Sequence, residues 1–283
     1  MFGSHLSIAG GMHNALLSAE KFGMDTVQVF TKNQQQWRCS PLTSECIAEW
    51  KSHAKRLKFK KTVSHDSYLI NLASTSEDFR RKSIELFAEE LTRCVQLQIP
   101  YLVTHPGAHM GAGEEAGILK IVEALDAVHS VVRGDGVITC LEITAGQGSS
   151  LGYKLEHLAQ IIEKVKEPRR LGVCLDTAHL FAAGYDFRGP RKYAAFRKQL
   201  SRTVGLSRVK VIHMNDSKKD LGSRVDRHDH IGRGKIGIEG FKPFVRDQAW
   251  AKVPKILETP KEGKDERGRD WDAVNLETLR SLM

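Results

Sequence analysis

The sequence predicts an α/β protein that forms a closed (β/α)8 barrel, the TIM-barrel architecture, as one domain over residues 1–283. Eight short apolar segments alternate with eight amphipathic ones, which indicates parallel strands joined by right-handed helical crossovers. No glycine-rich nucleotide-binding motif follows a strand, so the usual doubly wound alternatives lack their signature. The chain has no proline- or serine-rich linker, and its 283 residues are close to the size of one such barrel.

The strand segments are recognised by alternating or continuous apolar residues between turn residues. Cys140 and Cys174 each precede an acidic residue by two positions, so we expect both to fill the barrel interior. The five cysteines are widely spaced without a CxxC pair, which indicates free thiols in a reducing compartment. In chain order the predicted strands are FGSHLSI (2–8), TVQVFTK (26–32), KTVSHDS (61–67), PYLVTHP (100–106), GVITCLEIT (136–144), LGVCLDT (171–177), RVKVIHMN (208–215) and PKILET (254–259).

The helical patterns lie between these strands. The clearest is 77–98, where apolar residues such as Phe87 and Leu91 recur at helical spacing. Ser74 and Glu77 have the spacing of a capping box at the start of this helix. The other predicted helices are 11–22, 43–58, 114–132, 154–166, 189–203, 238–248 and 273–283.

Composition gives expectations about location and partners. The net charge of +9 and the pI near 9.3 favour a polyanionic partner, although many basic enzymes have no nucleic-acid role. No segment approaches the roughly 20 apolar residues of a membrane span, and the N-terminal residues lack a signal-peptide pattern. We therefore expect a cytoplasmic protein that does not contact membranes, with a monomer as the default.

Possible metal ligands recur near the C-terminal ends of six predicted strands, with gaps of 40, 37, 34, 37 and 45 residues. Active sites of (β/α)8 barrels lie at this end, so these side chains can converge on one mouth. Three further candidates lie in the loops, and the five imidazoles and four carboxylates exceed what one metal ion uses. The candidates are His65, His105, Glu142, Asp176, His179, His213, Asp226, His228 and Glu258.

The types of these residues indicate the kind of metal site. Imidazole and carboxylate ligands without thiolate suit zinc or manganese. Glu142 and Glu258 each end an apolar run, where an unpaired carboxylate is costly to bury. Any one of the histidines could be a packed core residue, but the set as a whole favours a group of metals. Grouped metals are suited to phosphoryl chemistry.

Long motifs along the chain also carry a family resemblance. They are FTKNQQQW, HDSYLINL, THPGAH, LEITAGQGS, GVCLDTAHLFAAGYD, HMNDSK, GSRVDRHDHIGRGKIG and ILETPK. Over essentially its whole length the sequence resembles endonuclease IV, the zinc-dependent apurinic/apyrimidinic endonuclease family. The resemblance implies a DNA repair hydrolase that cleaves duplex DNA on the 5′ side of abasic sites, leaving a 3′-hydroxyl and a 5′-deoxyribose phosphate. It also implies trimming of blocked 3′ ends.

The resemblance further implies three zinc ions per chain, with manganese able to replace one of them. Glu142 would be the catalytic residue, bridging two ions and holding the hydroxide that attacks the phosphorus. The implied ligand sets are His65, His105 and Glu142 for the first ion; Glu142, Asp176, His213 and Glu258 for the second; and His179, Asp226 and His228 for the third.

By the same resemblance, Gln35, Tyr68 and Leu69 are the DNA-binding residues. Tyr68 and Leu69 match positions that enter the double helix around an extruded nucleotide. Gln35 stands where well-known members have an arginine, and Ile143 stands where they have an asparagine. We expect the first departure to change DNA affinity and the second to change a hydrogen bond near the metals.

Two alternatives belong to other functional classes. A single-metal sugar isomerase or epimerase of the xylose-isomerase-like barrels would share the fold, but such enzymes need only about four ligands. That interpretation leaves His179, Asp226 and His228 without a role. A lesion-binding protein without catalysis is the other alternative, and the complete set of candidate ligands argues against it.

Overall fold

The computed structural model describes residues 1–134 and 136–283, and within them eight parallel strands form one sheet. In chain order the strands are β1 (Phe2–Ser4), β2 (Gln28–Phe30), β3 (Val63–His65), β4 (Tyr101–Thr104), β5 (Ile138–Glu142), β6 (Leu171–Asp176), β7 (Val209–His213), β8 (Asp216–Ser217), β9 (His228–Asp229) and β10 (Lys255–Leu257). Around the sheet the order is β1-β10-β7-β6-β5-β4-β3-β2, while β8 and β9 form a separate antiparallel pair.

The two edge strands of the large sheet meet and close it. His5 forms a parallel bridge with Gln28, and the Leu6 backbone N–H donates to the Gln28 carbonyl over 2.9 Å. The predicted (β/α)8 barrel is therefore confirmed. The paired segments are shorter than predicted, because the chain leaves the ladder a few residues after each strand begins and continues into the loops of the mouth.

The helices agree with the sequence pattern to within a few residues, with one addition. The short α6 follows β6 directly and was not predicted as a helix. Within residues 1–134 and 136–283 the α-helices are α1 (His13–Lys21), α2 (Ser44–Arg56), α3 (Glu77–Leu97), α4 (Glu114–Val131), α5 (Leu155–Lys164), α6 (Thr177–Ala183), α7 (Pro190–Thr203), α8 (Ile238–Arg246) and α9 (Trp271–Ser281).

The predicted cap of α3 is wrong. Ser76 is the N-cap, and its hydroxyl accepts a hydrogen bond from the Phe79 N–H. Ser74 lies farther back, in the preceding turn, where its hydroxyl accepts a hydrogen bond from the Ser76 N–H over 3.2 Å. Ser74 thus shapes the approach to the helix and does not cap it.

One apolar layer fills the centre of the barrel. It includes Cys140 and Cys174, which confirms that both cysteines face the interior. Side chains on a strand alternate between faces, so the residue two positions later points the same way, one layer nearer the mouth. Each layer residue is followed in this way by a predicted metal ligand. The layer consists of Val63, Val103, Cys140, Cys174, Val211 and Ile256, and the residues two positions later are His65, His105, Glu142, Asp176, His213 and Glu258.

A search of the helices within the described ranges finds none long and apolar enough to span a membrane.

Candidate metal centre

Glu142 lies at the centre of the mouth and is fully buried. Its Oε2 is 3.1 Å from His65 Nε2 and 3.3 Å from His105 Nε2. Its Oε1 is 2.9 Å from His213 Nδ1 and 3.3 Å from His179 Nδ1. The two oxygens of one carboxylate therefore face imidazoles from four different strand ends.

A second group of donors lies around His213. Its Nδ1 is 3.0 Å from Glu258 Oε2 and 3.8 Å from Asp176 Oδ2. Together with Glu142, these residues offer donor atoms that all lie within 4.8 Å of one another. Three carboxylates around one imidazole form a strongly anionic site, which suits a divalent cation.

A third group is supplied by α6 and the β8–β9 region. Asp226 Oδ2 lies 3.2 Å from His179 Nε2, and Asp226 Oδ1 lies 3.2 Å from His228 Nε2. Asp176 Oδ2 is 3.7 Å from the same nitrogen of His228. Donor atoms of Asp176, His179 and His228 all lie within 4.8 Å of one another. Asp176 therefore belongs to this group as well as to the second. All nine candidate ligands lie in one cluster, and the division of ions among them stays a prediction.

The orientation of the histidine rings matches that of metal ligands. In such sites the ring nitrogen that does not bind metal donates its N–H to a carbonyl or carboxylate, which leaves the other nitrogen free to bind. Four rings make this bond on one side and face carboxylates with a ring nitrogen. The bonds join His65 Nδ1 to Asp66 O (2.8 Å), His179 Nδ1 to Ile143 O (2.9 Å), His228 Nδ1 to Glu258 O (3.2 Å) and His213 Nε2 to Gln28 Oε1 (2.8 Å).

One buried nitrogen of the cluster lacks a hydrogen-bond partner. His228 Nε2 has none within the described part of the chain, although it faces Asp226 and Asp176. A buried polar atom without a partner is unfavourable unless a ligand satisfies it. This atom and the mixed imidazole–carboxylate donors fit a bound zinc or manganese ion.

The electrostatics of the cluster are dominated by burial and by the pairing of opposite charges. Burial opposes protonation of His65, but Glu142 outweighs it and raises the pKa of His65 to about 9. For His228 burial is likewise outweighed, here by Asp176 and Asp226, and its pKa is raised to about 9. Burial would raise the pKa of Glu142, yet the surrounding histidines hold it well below its ordinary value. Without metal, His65 and His228 therefore retain their protons at neutral pH, and Glu142 retains its negative charge.

Two supporting residues were not predicted from the sequence. Gln28 is buried behind the cluster, where its side-chain N–H donates to Glu258 Oε1 over 2.6 Å and its carbonyl faces His213. Asn215 donates to Asp176 Oδ2 over 2.6 Å and accepts from the Glu258 N–H over 2.8 Å. The available signal was a polar residue inside the apolar run TVQVF and a polar residue at the end of the predicted strand RVKVIHMN.

The comparisons with known proteins agree with this geometry. Residues 16–282 match the family model of the xylose isomerase-like TIM barrel. "Probable endonuclease 4" of Chloroflexus aggregans is 50% identical over 284 residues, an alignment that covers 100% of this chain and 97% of the relative. The chain belongs to the endonuclease IV family. The crystal structure of endonuclease IV from Thermus thermophilus matches with a TM-score of 0.86 at 35% identity, covering 99% of this chain and 98% of that one.

Sugar epimerases share the barrel with this endonuclease IV member. A D-tagatose 3-epimerase-like protein matches with a TM-score of 0.74 over 99% of this chain and 96% of its own, at 19% identity. At that identity the likeness concerns the fold alone. The cluster around Glu142, with its third group of donors, is the feature that the fold does not explain.

The residues predicted to contact DNA surround the mouth of this endonuclease IV barrel. Tyr68 is 62% exposed, and its ring lies edge-on to Phe30 at 5.6 Å and tilted against His65 at 5.4 Å. Leu69 is half-buried and Gln35 is exposed. Tyr68 lines two cavities, one of about 470 Å³ that also contacts His105 and Asp226, and one of about 790 Å³ that contacts Gln35 and Glu258. These residues lie close to the cluster, and their contact with DNA stays a prediction.

Ile143, the second departure from the family pattern, contributes one hydrogen bond to the cluster through its backbone. The His179 ring donates to the Ile143 carbonyl, so this contact depends on the backbone and not on the side chain. Ile143 itself is fully buried in the main hydrophobic core.

Proposed function

We propose that this protein is a zinc-dependent endonuclease that hydrolyses the phosphodiester on the 5′ side of an abasic site in duplex DNA. The products would be a 3′-hydroxyl and a 5′-deoxyribose phosphate. The observation that carries the proposal is the clustering of nine candidate ligands around Glu142 at the barrel mouth, directly beside the exposed Tyr68. Membership of the endonuclease IV family supports this function over other uses of the same barrel.

We propose three zinc ions, with manganese able to occupy one position. The three groups of donors support this number, because Glu142 can serve two groups through its two oxygens. Asp226 completes the group of His179 and His228, from which it is 3.2 Å away in each case. When bound, such ions supply Lewis acidity toward a phosphodiester and lower the pKa of a water molecule.

The chain's own residues would orient and enclose the reacting group. Glu142 is the proposed catalytic residue, because it is central to the cluster and its carboxylate stays charged at neutral pH. The carbonyl oxygens behind four of the rings accept a ring N–H and so fix the direction of those imidazoles. Gln28 and Asn215 hold Glu258 and Asp176 in place. A site whose ligands are held in this way needs little reorganisation during the reaction.

Recognition of the lesion would depend on the exposed residues beside the cluster. An abasic nucleotide has no base to unpair or unstack, so it leaves the duplex at lower cost than an intact one. Tyr68 and Leu69 would fill the helix beside such a nucleotide, and Gln35 lines the larger cavity together with Tyr68. A net charge of +9 supports affinity for the phosphate backbone. Blocked 3′ ends would be trimmed at the same centre, because they present the same phosphodiester chemistry.

An incision assay with metal analysis tests this proposal. The substrate is a duplex with a single tetrahydrofuran abasic analogue, labelled at its 5′ end, and an undamaged duplex is the control. We expect one cut 5′ to the lesion and about three zinc ions per chain in the purified protein. One tightly bound metal, together with epimerisation of a ketohexose and no strand break, would favour the sugar-epimerase alternative. Retained lesion binding without incision by zinc-loaded protein would favour a binding protein.

A further inference from the structure

The loop that carries Gln35 has little backbone structure of its own. Residues 31–43 connect β2 to α2 without helix or strand. Within the described residues, one backbone–backbone hydrogen bond joins two members of segment 31–42, from Gln36 N to Asn33 O over 3.3 Å. The shape of this loop therefore depends on side chains that hold its other carbonyl groups.

Arg93 of α3 closes the base of the loop. Its Nε and Nη2 donate to the Thr31 carbonyl over 3.1 and 2.6 Å, and its Nη1 donates to the Ser40 carbonyl over 3.1 Å. One rigid guanidinium thus joins two backbone positions on opposite sides of Gln35. Arg93 is buried, so its charge is desolvated and its forked hydrogen bonds define a single geometry.

Glu90 lies almost one turn earlier on α3 and joins this loop to the next one. Its Oε2 accepts from the Thr31 hydroxyl over 2.8 Å, and the backbone of Ser67 lies close enough to this carboxylate to act against the rise in its pKa. Burial raises the pKa of Glu90, while the Thr31 hydroxyl and the charges of Lys32 and Arg93 act in the opposite direction. Glu90 is therefore bonded to the loop after β2 and lies beside the start of the loop after β3.

Two further bonds complete the network. The Ser67 hydroxyl donates to the Gln34 carbonyl over 2.6 Å, directly beside Gln35. The Lys32 ammonium donates to the Asn33 carbonyl over 2.9 Å and also to the Gln36 carbonyl. Since Ser67 immediately precedes Tyr68, the network fixes the base of Tyr68 relative to the loop that carries Gln35.

We propose that Glu90 and Arg93 are positioning residues for DNA engagement, holding the loops after β2 and β3 so that Gln35 and Tyr68 meet the duplex in a fixed arrangement. Neither residue faces the metal centre, and α3 acts on the DNA only through these loops. Ordering a loop on binding weakens affinity, so a loop held in place before binding strengthens it. The effect on DNA binding rests on the proposed function, whereas the effect on the order of residues 31–43 does not.

The principal variant is Arg93→Lys, which keeps the charge and removes the fork that joins Thr31 to Ser40. We expect the Kd for abasic duplex to rise about tenfold, because loop ordering then accompanies binding. The single-turnover incision rate at saturating DNA and the metal content should stay close to wild type. Amide hydrogen exchange within residues 31–43 should accelerate, while exchange in the rest of α3 should not.

Ser67→Ala is a milder second variant, since it removes the bond to Gln34 and the bond from the Leu69 N–H but leaves every charge in place. It should raise the Kd and the exchange rate of the same loop by a smaller factor. Arg81→Lys is the matched control, because Arg81 lies on the same helix in a solvent-exposed pair with Glu85 at 3.1 Å. It should change neither quantity.

The outcomes separate this inference from the proposed function. Faster exchange in residues 31–43 with unchanged Kd would overturn the role in DNA engagement. Unchanged hydrogen exchange in residues 31–43 of a folded Arg93→Lys protein would show that Arg93 does not hold this loop in place. A fall in the saturated rate equal to the rise in Kd would show that the network serves the metal centre, which also contradicts the proposal. If wild-type protein does not incise abasic DNA, the proposed function fails. The exchange experiment still decides whether the network holds residues 31–43 in place.

Discussion

Glu142 is the residue on which the donor groups converge. Replacing it with glutamine keeps the size of the side chain but removes the negative charge that faces four imidazoles. We expect Glu142→Gln to lower incision by at least about a thousandfold, because the site supplies several kcal/mol of charge stabilisation. Single-turnover assays at saturating DNA measure this loss. Glu123→Gln, at an exposed ion pair on α4, is the control, and a Glu142→Gln rate within tenfold of wild type would contradict the assignment.

Gln28 shows how a neutral residue can control a metal ligand. Its side-chain carbonyl accepts the Nε2–H of His213 and so leaves Nδ1 directed at the carboxylates. Gln28→Leu would leave a buried N–H without a partner, and we expect metal affinity or incision to fall about 10- to 100-fold. Competition with a chelator measures the affinity. Thr26→Val is the matched control, since it removes a bond in the segment that leads into β2, two residues before Gln28, and an equal loss there would contradict the reasoning.

Gln35 differs from Glu142 in being exposed and in belonging to none of the groups of metal donors. Gln35→Arg adds one positive charge beside the mouth, so we expect tighter DNA binding with an unchanged saturated rate. The slope of log Kd against log salt concentration should steepen by about one. Gln35→Met, which adds no charge, should leave this slope unchanged. A loss of saturated rate comparable to that of Glu142→Gln would show that Gln35 acts in the chemical step. It would contradict the assignment of Gln35 to DNA binding alone.

At the scale of elements, the strand ends were predictable and the supporting contacts were not. Cys140 and Glu142 are two positions apart, and this period of two places a ligand above the interior layer on each of six strands. The sequence contains that period directly. It does not contain the contact between Gln28 and His213, which are 185 positions apart and meet only after the barrel closes.

The short helix α6 was missed because its residues are almost all buried. An apolar run without a polar face gives no helical periodicity, so LDTAHLFAAG continues the preceding strand in appearance. The boundary residues carried the missing signal. Asp176 caps the helix by accepting from the His179 N–H over 2.8 Å, and Gly184 ends it in a left-handed conformation.

The end of α6 gives a prediction at this scale. Gly184 has φ of +104°, where an alanine is strained, so Gly184→Ala should lower the free energy of unfolding by about 1–2 kcal/mol. Because α6 positions His179, the apparent affinity for the third metal should fall as well. Gly184→Asn is the control, since asparagine tolerates left-handed backbone better and should lose less stability. Equal losses for the two variants, by denaturant unfolding, would exclude backbone conformation as the cause.

At the scale of the whole molecule, the apolar residues that stabilise the barrel and the donors that would bind metal lie at different levels along its axis. The apolar layer lies beneath the metal donors, so the charged cluster is concentrated at one end of the barrel. This arrangement brings four carboxylates and five histidines together, of which five residues are buried and four are partly exposed. The metal-free protein must balance their charges with protons, and it follows that metal content and pH are coupled through the stability of the fold.

The direction of this coupling follows from the pKa values of His65 and His228, both raised to about 9 from an ordinary value of 6.5. In the metal-free protein, protonated imidazoles paired with carboxylates stabilise the fold fully below pH 6.5, and this contribution is lost as the pH rises through about 9. Glu142 and Glu258 have lowered pKa values, so the contribution of these two carboxylates is lost only on acidification. Metal ions displace the imidazole protons, so their apparent affinity should increase over the same rise in pH.

Two measurements check this coupling. Calorimetric titration of metal-free protein with zinc, in buffers of different ionisation enthalpy, should show protons released at neutral pH and fewer released as the pH approaches about 9. The difference in Tm between zinc-loaded and metal-free protein should widen over that interval, because the metal-free form loses its imidazolium–carboxylate pairs while the loaded form does not.

Asp226→Asn should narrow the difference in Tm, since it weakens the pairing that holds the proton on His228. Proton release that is independent of pH would mean that the histidines are already neutral in the metal-free barrel, and the charge balance argued for the cluster would be wrong.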